Sequence, residues 1–224
     1  MKLKKRLQVD REILQTLERK DQLLFIWDYY KIPIVAVVSA LVLLVMVIAS
    51  WAGKKDVAMY AVFVNSDVSV VETNSQMLEE LLAAGGVDMD GKTIDITADL
   101  TLGTDYSEET DGQTIQVLAA LFGISGLDVF AADQETFDRY VVQDAFVDLS
   151  LFVERELYEQ EGCIPYWYAN GDGQEILGGI VLKTGSALHE AGYYHSDVVI
   201  GVAANAQNLE EAVAFVDQLL KEAD

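Results

Sequence analysis

Cysteine and histidine are scarce in this sequence of 224 residues, which holds one cysteine and two histidines. A single cysteine, Cys163, cannot form an intramolecular disulfide, so a folded domain here depends on its hydrophobic core. Cys163 heads an apolar stretch and is typical of a small core residue rather than a reactive thiolate. His189 and His195 lack the i,i+4 spacing of helical zinc ligands. We therefore expect neither a metal nor a cofactor.

Basic residues are also few, because 15 Lys and Arg oppose 37 Asp and Glu and leave a net charge of −22. The charge is unevenly distributed, with +3 on residues 1–31, none on residues 32–53 and −25 on residues 54–224. Such asymmetry indicates three differently solvated parts. Because like charges repel, the acidic part excludes nucleic acid as a partner and disfavours close approach to anionic lipid.

The absence of charge from residues 32–53 predicts a transmembrane helix. At about 1.5 Å per residue, this stretch matches the roughly 30 Å hydrocarbon core of a bilayer. Trp27 precedes it and Trp51 closes it, at the level where aromatic rings favour the headgroups. The apolar run and the segment before it are too long for a cleavable signal peptide. More Lys and Arg residues precede the helix than follow it, which predicts a single-pass protein of the cell membrane with a cytoplasmic N-terminus and an extracytoplasmic domain over residues 54–224.

Residues 1–31 predict a cytoplasmic, amphipathic juxtamembrane helix, since leucines recur among charged residues at helical steps. Within the predicted span, Ala36 and Ala40 form one small-xxx-small pair. Such pairs let two helices approach closely, so this one predicts a weak homodimer contact.

Predicted strands and helices alternate in residues 54–224. The strands are predicted at 57–64, 92–100, 127–132, 164–169, 176–182 and 197–204. The helices are predicted at 74–84, 113–122, 133–142, 144–162 and 209–222, with Asp133 as the cap of the third and Asn208 as the cap of the last. This alternation predicts a single α/β sandwich domain with a mostly parallel central sheet, to which the pair at 164–182 adds antiparallel strands.

Residues 183–185 read Lys-Thr-Gly, a signature of serine β-lactamases and penicillin-binding proteins. Those enzymes also need a serine three residues before a lysine, and no serine of this chain meets that requirement. The stretch "GISG" at 123–126 is not the Gly-x-Ser-x-Gly turn of α/β-hydrolases. Residues 183–185 are therefore predicted to be the exit of a strand, and we expect no enzyme.

Acidic clusters lie at 87–91, 104–112 and 170–175. None has the Asp-x-Asp-x-Asp-Gly order of a calcium loop, so they indicate a solvated surface. A hydrolase that uses scattered acidic residues stays open as an alternative, because the roughly 5–10 Å between two catalytic carboxylates depends on the fold.

Aromatic and polar side chains in the last third of the chain are candidate ligand-binding residues. Alternation along a strand turns Trp167 away from its two tyrosine neighbours. Such rings can line a pocket or fill the core, and the sequence leaves both open. The candidates are Tyr166, Trp167, Tyr168, Lys183, Ser186, Tyr193 and Tyr194.

Two stretches resemble the type II solute-binding proteins associated with ABC transporters. Residues 127–149 resemble the family's strand, its helix with a Phe and a Tyr, and a closing Asp-Leu. Residues 176–220 resemble its C-terminal part, with a strand near the hinge, a strand reading "VIGVAAN" and a helix opening with "NLEEAVAFV". The resemblance implies a periplasmic-binding-protein-like fold and solute capture for transport. Only 26 residues separate Leu149 from Ile176, too few for a second lobe with its own sheet, so one lobe is expected.

The sequence thus favours a membrane-anchored, non-catalytic module that binds a small solute. The alternative from a different class is an interaction or assembly module that contacts a membrane protein such as a permease.

Overall fold

A computed structural model describes residues 32, 35–36, 39–46, 56–67, 71–103, 109–124, 126–141 and 143–222. The chain divides into two compact units, Met1–Lys54 and Lys55–Asp224. In the first unit residues 39–46 are helical, and the six apolar side chains at 41–46 are each 52–64% exposed. Among the described residues, no helix has both the length and the apolar character needed to cross a bilayer. The predicted helix at 1–31 and much of the predicted span at 32–53 lie outside the described residues.

The second unit contains six strands, six α-helices and one 3-10 helix within the described part of the chain. In chain order these are β1 (Asp56–Phe63), α1 (Val71–Ala84), β2 (Lys92–Thr97), α2 (Glu109–Gly123), β3 (Val129–Ala132), α3 (Gln134–Val141), the 3-10 helix (Leu149–Leu151), α4 (Arg155–Tyr158), β4 (Cys163–Ala169), β5 (Glu175–Leu182), α5 (Ala187–Glu190), β6 (Val198–Val202) and α6 (Leu209–Lys221). The α/β class is confirmed.

The six strands form one mixed sheet in the order β2-β1-β3-β6-β5-β4. Strand β1 pairs in parallel with β2 and β3, whereas the pairs β3–β6, β6–β5 and β5–β4 are antiparallel. The prediction of a mostly parallel sheet is therefore wrong. A parallel return needs a crossover, usually a helix, and the 183–197 loop contains only the short α5, so β6 turns back beside β5.

The predicted antiparallel pair at 164–182 is confirmed as β4 and β5, joined by a turn in which Asn170 Oδ1 accepts from the backbone N–H of Asp172 and Gln174. The predicted helix at 144–162 is wrong. Asp144 has a positive φ of 52°, which stops helical propagation, and Phe146 then pairs with Ala203 beside the sheet. Only the 3-10 helix and α4 follow.

Each face of the sheet carries its own apolar core. Helices α1 and α6 contribute leucines and Phe215 to one core, and helices α2 and α3 contribute Leu118 and Phe137 to the other. On the second face the rings of Phe137 and Phe146 stack at 4.3 Å over strands β5 and β6. A Cβ at Gly179 would lie 2.8 Å from the Phe137 ring, so this position must be glycine for the ring to reach the sheet.

Helix starts follow the predicted caps in one case and depart in another. Asp133 caps α3, because its carboxylate accepts from the N–H and hydroxyl of Thr136. Asn208 precedes α6 as predicted but makes no capping bond. Its side chain instead donates to the buried carboxylate of Asp128, which also accepts from the backbone N–H groups of Tyr60, Gln207 and Asn208. Asp128 thereby joins β1, β3 and the start of α6.

Candidate functional site

One end of the sheet gathers the loops that carry most polar candidates, and we call it the carboxyl edge. Strands β1, β2, β3 and β5 end there and β6 begins there, which places residues 64–67, 98–103, Asp133 and the 183–197 loop on this side. From β1 the chain crosses to β2 through α1 on one face, and from β2 it returns past β1 to β3 through α2 on the other. Open α/β sheets usually bind their ligands at such a reversal of strand order, which lies here between β1 and β3, and we call this position the crevice.

Asn65 organises this crevice from the position directly after β1. Its φ of 57° lies in the left-handed region, which asparagine tolerates better than most residues and which clusters at functional sites. Its side-chain amide donates to Leu102 O at 3.0 Å and to Asp133 Oδ2 at 2.7 Å, and its Oδ1 accepts from Leu102 N at 2.8 Å. Asn65 thus clamps the loop after β2 to the start of α3.

Asp133 holds a negative charge at the same edge. Burial alone would raise the pKa of its carboxyl group, but hydrogen bonds from the Thr136 N–H, the Asn65 amide and the Thr136 hydroxyl lower it overall. The carboxylate also lies at the N-terminus of α3, where the helix dipole favours an anion. Asp133 is therefore ionised at neutral pH.

Asp67 and His195 bring further titratable groups to the crevice. The Asp67 N–H donates to Tyr193 O at 3.0 Å, which ties the segment after β1 to the 183–197 loop. His195 Nε2 lies 3.8 Å from Asp67 Oδ2, and their side chains are 79% and 43% exposed. The carboxylate and the imidazole therefore face solvent, within reach of a solute.

Tyr193 and Tyr194 anchor the 183–197 loop beneath the crevice. Both are buried, and the Tyr194 hydroxyl donates its proton toward Ala131 O at 2.9 Å and Val64 O at 3.1 Å, at the ends of β3 and β1. The Tyr193 ring packs edge-on against Phe63 with centroids 5.1 Å apart, but its buried hydroxyl has no protein hydrogen-bond partner. Burial raises the pKa of Tyr193 to about 12, so this hydroxyl is neutral and keeps a proton to donate.

Ser186 and His189 form a hydrogen-bonded pair in the same loop. Ser186 Oγ lies 2.7 Å from His189 Nδ1, and His189 Nε2 lies 2.8 Å from the carbonyl oxygen of Ser196. Since a carbonyl only accepts, Nε2 of the neutral ring carries the hydrogen and Nδ1 accepts from Ser186. This resembles an activated serine, yet Ser186 is 2% exposed and no substrate reaches its hydroxyl in this conformation. The pair fixes the two ends of the loop.

The 183–197 loop thus brings four of the sequence-predicted residues to the carboxyl edge: Lys183, Ser186, Tyr193 and Tyr194. Lys183 follows β5, as expected for a strand exit, and its side chain is exposed. Its backbone N–H donates to Gly162 O at 2.9 Å.

The other three predicted residues lie on edge strand β4 and do not converge with the first four. Tyr166 donates from its hydroxyl to Asp138 Oδ1 at 2.5 Å and packs against Phe137, and Tyr168 covers Gly178 on the same face. Trp167 points to the opposite face as predicted, packs against Tyr158 and is 42% exposed. Tyr166 and Tyr168 pack against the second core, whereas Trp167 belongs to neither core.

Two clefts lie at the opposite end of the sheet, where β1 and β3 begin. One of about 320 Å³ is bounded by Phe122, Tyr140 and Asp144, and one of about 340 Å³ by Tyr60, Asp95 and Asp128. Asp144 and Asp128 are already occupied by backbone donors from Gly171 and from the start of α6. None of the seven sequence-predicted residues lines either cleft.

The remaining candidates from the sequence are Cys163 and the acidic clusters. Cys163 is buried, and burial raises the pKa of its thiol, as expected for a core residue. Across the described residues there is no group of three or more His, Cys, Asp or Glu side chains suited to a metal ion. Most of the acidic cluster at 104–112 lies outside those residues.

Asn65, Asp67 and Asp133 are the residues that sequence reasoning missed as candidate site residues, with Asp133 recognised only as a cap. A signal was present, since polar residues directly follow the apolar runs "YAVFV" and "VFAA". Because carboxyl ends of parallel strands meet at one edge, polar residues at those ends are natural candidates.

The chain matches no protein-family model, and neither a curated protein nor a solved structure is significantly similar to it.

Proposed function

We propose that this chain is a membrane-anchored, extracytoplasmic module that binds a small polar solute at the carboxyl edge and does not catalyse a reaction. The observation that supports this most is the strand-order reversal between β1 and β3, with Asn65 in a left-handed conformation directly after β1. Four loops meet there and are tied together by hydrogen bonds, which gives a rigid frame for recognition.

The groups at this edge suit a neutral or cationic polar solute. Asp67 and Asp133 offer carboxylates, and His195 offers an imidazole. A net charge of −25 on residues 54–224 repels anionic solutes over the distance that salt does not screen. An amino acid, amine or uncharged sugar fits this balance better than a phosphate.

The resemblance to ABC-transporter solute-binding proteins supports the same function. In that interpretation the domain is one periplasmic-binding-protein-like lobe, because the residues between Leu149 and Ile176 form only the 3-10 helix, α4 and β4. A solute would then lie in an open crevice, or a transport partner would supply the second wall.

The membrane anchor rests on the uncharged stretch at 32–53 and on the exposed apolar residues 41–46. In a Cys163→Ala background, a membrane-impermeant maleimide should label Asp172→Cys in intact cells and should label Lys5→Cys only after lysis. Labelling of Lys5→Cys in intact cells would reverse the orientation, and recovery of the chain in the soluble fraction would remove the anchor.

Thermal unfolding of the full chain with a panel of amino acids, amines and sugars tests the binding function. A bound solute at about 100 times its Kd stabilises by about 2.7 kcal/mol, which corresponds to roughly 5–10 °C in Tm. Asp67→Asn should reduce this shift, because it removes a carboxylate that faces solvent at the carboxyl edge, while the chain without solute stays folded.

Asp172→Asn is the matched control, because it makes the same change at the exposed turn between β4 and β5, away from the carboxyl edge. It should leave the solute-induced shift unchanged. A folded wild-type chain that no solute class stabilises would count against solute binding.

The second candidate function is an interaction or assembly module for a membrane protein such as a permease. It is favoured by Leu151 and Phe152, which are 75% and 47% exposed on a structured part of the domain. Exposed apolar side chains that lie together mark interaction sites more often than isolated ones do.

A further inference from the structure

A cleft of about 340 Å³ beside α6 combines an apolar floor with an acidic rim, and we call it the α6 cleft. Phe152, Leu157, Val213 and Ala214 form its floor. Phe152 is 47% exposed, and neighbouring Leu151 is 75% exposed. When a partner covers apolar side chains of this kind, their surface is removed from water and the complex is stabilised.

The exposed apolar side chains are held in place by rigid neighbours. Asp148 caps the 3-10 helix by accepting from the N–H and hydroxyl of Ser150, and it also accepts from Leu177 N on β5 at 3.1 Å. Val153 directly after Phe152 is 4% exposed and fixes the other side of the turn. The fold therefore presents Leu151 and Phe152 to solvent in a defined position.

The wall formed by α1 and α6 is equally close-packed. Gly85 ends α1 against α6, and a Cβ at this residue would lie 3.1 Å from Ala214 O. The glycine lets the end of α1 meet α6 without a gap, so the cleft has a firm boundary on that side.

The rim of the α6 cleft is negatively charged. It consists of Glu154, Glu210, Asp217 and Lys221. Lys221 Nζ lies 2.5 Å from Asp217 Oδ2, so this ion pair neutralises one carboxylate. Glu154 and Glu210 leave the rim with a net negative charge, and both are exposed.

We propose that the α6 cleft docks a basic, amphipathic helix of a partner protein. Leucine-like side chains of that helix would cover Phe152 and Val213, while its Lys or Arg residues would face Glu154 and Glu210. Helices that lay an apolar face into a groove are a recurrent mode of recognition. Charge decides the type of partner, because an anionic lipid surface or an acidic helix would be repelled by the rim. This surface is separate from the carboxyl edge, and the inference rests on the second candidate function, for which it names the chemistry of the partner.

The test measures binding of a fluorescein-labelled helical peptide of about five turns, made of leucine and lysine with its leucines on one face. Fluorescence anisotropy with the full chain at physiological ionic strength gives the Kd. Phe152→Ser, and separately the pair Glu154→Lys with Glu210→Lys, should each weaken binding about tenfold or more. The same peptide with glutamate in place of lysine should not bind.

Matched controls separate the cleft from the general acidity of the domain. Val117→Ser replaces an apolar side chain of α2 that is 43% exposed on the other side of the sheet. The pair Asp172→Lys with Glu175→Lys makes the same charge change at the β4–β5 turn. Both controls should bind within about twofold of wild type, and circular dichroism melting should show that every variant is folded.

Equal weakening by cleft and control variants would overturn the proposal, since it would show diffuse attraction to a negative protein. So would binding that Phe152→Ser leaves unchanged. If the chain instead forms a dimer that Phe152→Ser dissociates and that the peptide does not displace, the cleft is an interface between copies and the proposed partner is wrong.

Discussion

At the scale of single residues, the frame of the carboxyl edge depends on Asn65 and Asp133. The Asn65 amide reaches Leu102 and Asp133, which are 37 and 68 positions away in the chain. Its left-handed backbone costs about 1 kcal/mol or more, and the hydrogen bonds from its side chain offset that cost. The side chain of Asn65 thus holds two loops in place, although its backbone conformation is strained.

Acidification should expose the contribution of Asp133. The pKa of its carboxyl group is lowered below the ordinary value of 3.8, so the unfolded chain takes up the proton first. The stability from this group is therefore present above that value and is lost as pH falls through the native pKa. Asp133→Asn should be less stable than wild type in urea at pH 7, and the difference should shrink between about pH 5 and pH 3.

Asp172→Asn, at an exposed turn, is the control for this measurement and should follow the wild-type pH profile. A stability difference between wild type and Asp133→Asn that stays constant with pH would show that the charge of Asp133 is not what stabilises the edge.

Residue-level inference from the sequence was accurate where the cause is local. Asp133 was predicted as a helix cap from its place before "QETF", and its bonds to Thr136 confirm it. Asn208 was predicted as a cap for the same reason, but its side chain donates to Asp128, 80 positions away. Asn208 bonds to a buried carboxylate that has several donors instead of making a local capping bond. The residues next to Asn208 in the sequence do not indicate this distant contact.

At the scale of elements, the packing of helices on strands β5 and β6 determines which residues these strands can contain. Gly179 lies under Phe137, and a Cβ there would be 2.8 Å from the ring and 2.9 Å from Ile200 O. The glycines in the run "LGGIVL" are therefore explained by the close approach of an aromatic layer, not by flexibility of the strand.

Gly179→Ala should lower the free energy of unfolding by about 1–3 kcal/mol, because both the Phe137 ring and the β6 backbone must move. Gly112→Ala is the control, since open space surrounds its Cβ position within α2. It should be neutral or stabilise by up to about 1 kcal/mol through the lower backbone entropy of alanine. Urea denaturation measures both, and a neutral Gly179→Ala would mean that the aromatic layer does not rest on this strand.

Strand positions were predictable from the sequence and strand directions were not. The apolar runs at 57–64 and 176–182 mark strands through local composition, and both are confirmed as β1 and β5. The direction of β6 depends on its pairing with β3 and β5, which are distant contacts. The acidic stretch at 144–162 read as a helix because its composition permits one, yet Asp144 and Phe146 end it within three residues.

The sheet edges show how the domain avoids unwanted pairing. Edge strand β4 contains Pro165, which has no N–H to offer a neighbouring strand. Edge strand β2 carries Lys92 and the exposed Asp95. Proline and charge at an edge disfavour strand addition, so side-chain surfaces such as the α6 cleft are the better candidates for partner contacts.

At the scale of the whole molecule, two surfaces of different chemistry serve two different roles in this account. The carboxyl edge is polar and carries Asp67, Asp133 and His195, which suits a small solute. The α6 cleft is apolar with an acidic rim, which suits a protein helix. In the proposed function, the uncharged stretch at 32–53 anchors the domain to the membrane.

The sequence located four residues of the candidate site because they share one loop, from Lys183 to Tyr194. It named Tyr166, Trp167 and Tyr168 as candidates too, but these lie on β4, apart from the other four, because aromatic rings are equally typical of a pocket and of a core. It could not reveal the α6 cleft, because Phe152 and Val213 are brought together only by the packing of the 3-10 helix against β5 and of α4 against α6.

Hydrogen–deuterium exchange of the full chain, with and without the solute that gives the largest thermal shift, shows directly whether the solute binds at the carboxyl edge. Binding at the carboxyl edge predicts slower exchange in residues 64–67 and 183–197, where Asn65, Asp67 and Tyr193 lie, with little change in 119–123 and 204–205 at the opposite end of the sheet. Protection confined to those opposite segments, or no protection at the carboxyl edge, would show that the solute does not bind at the carboxyl edge.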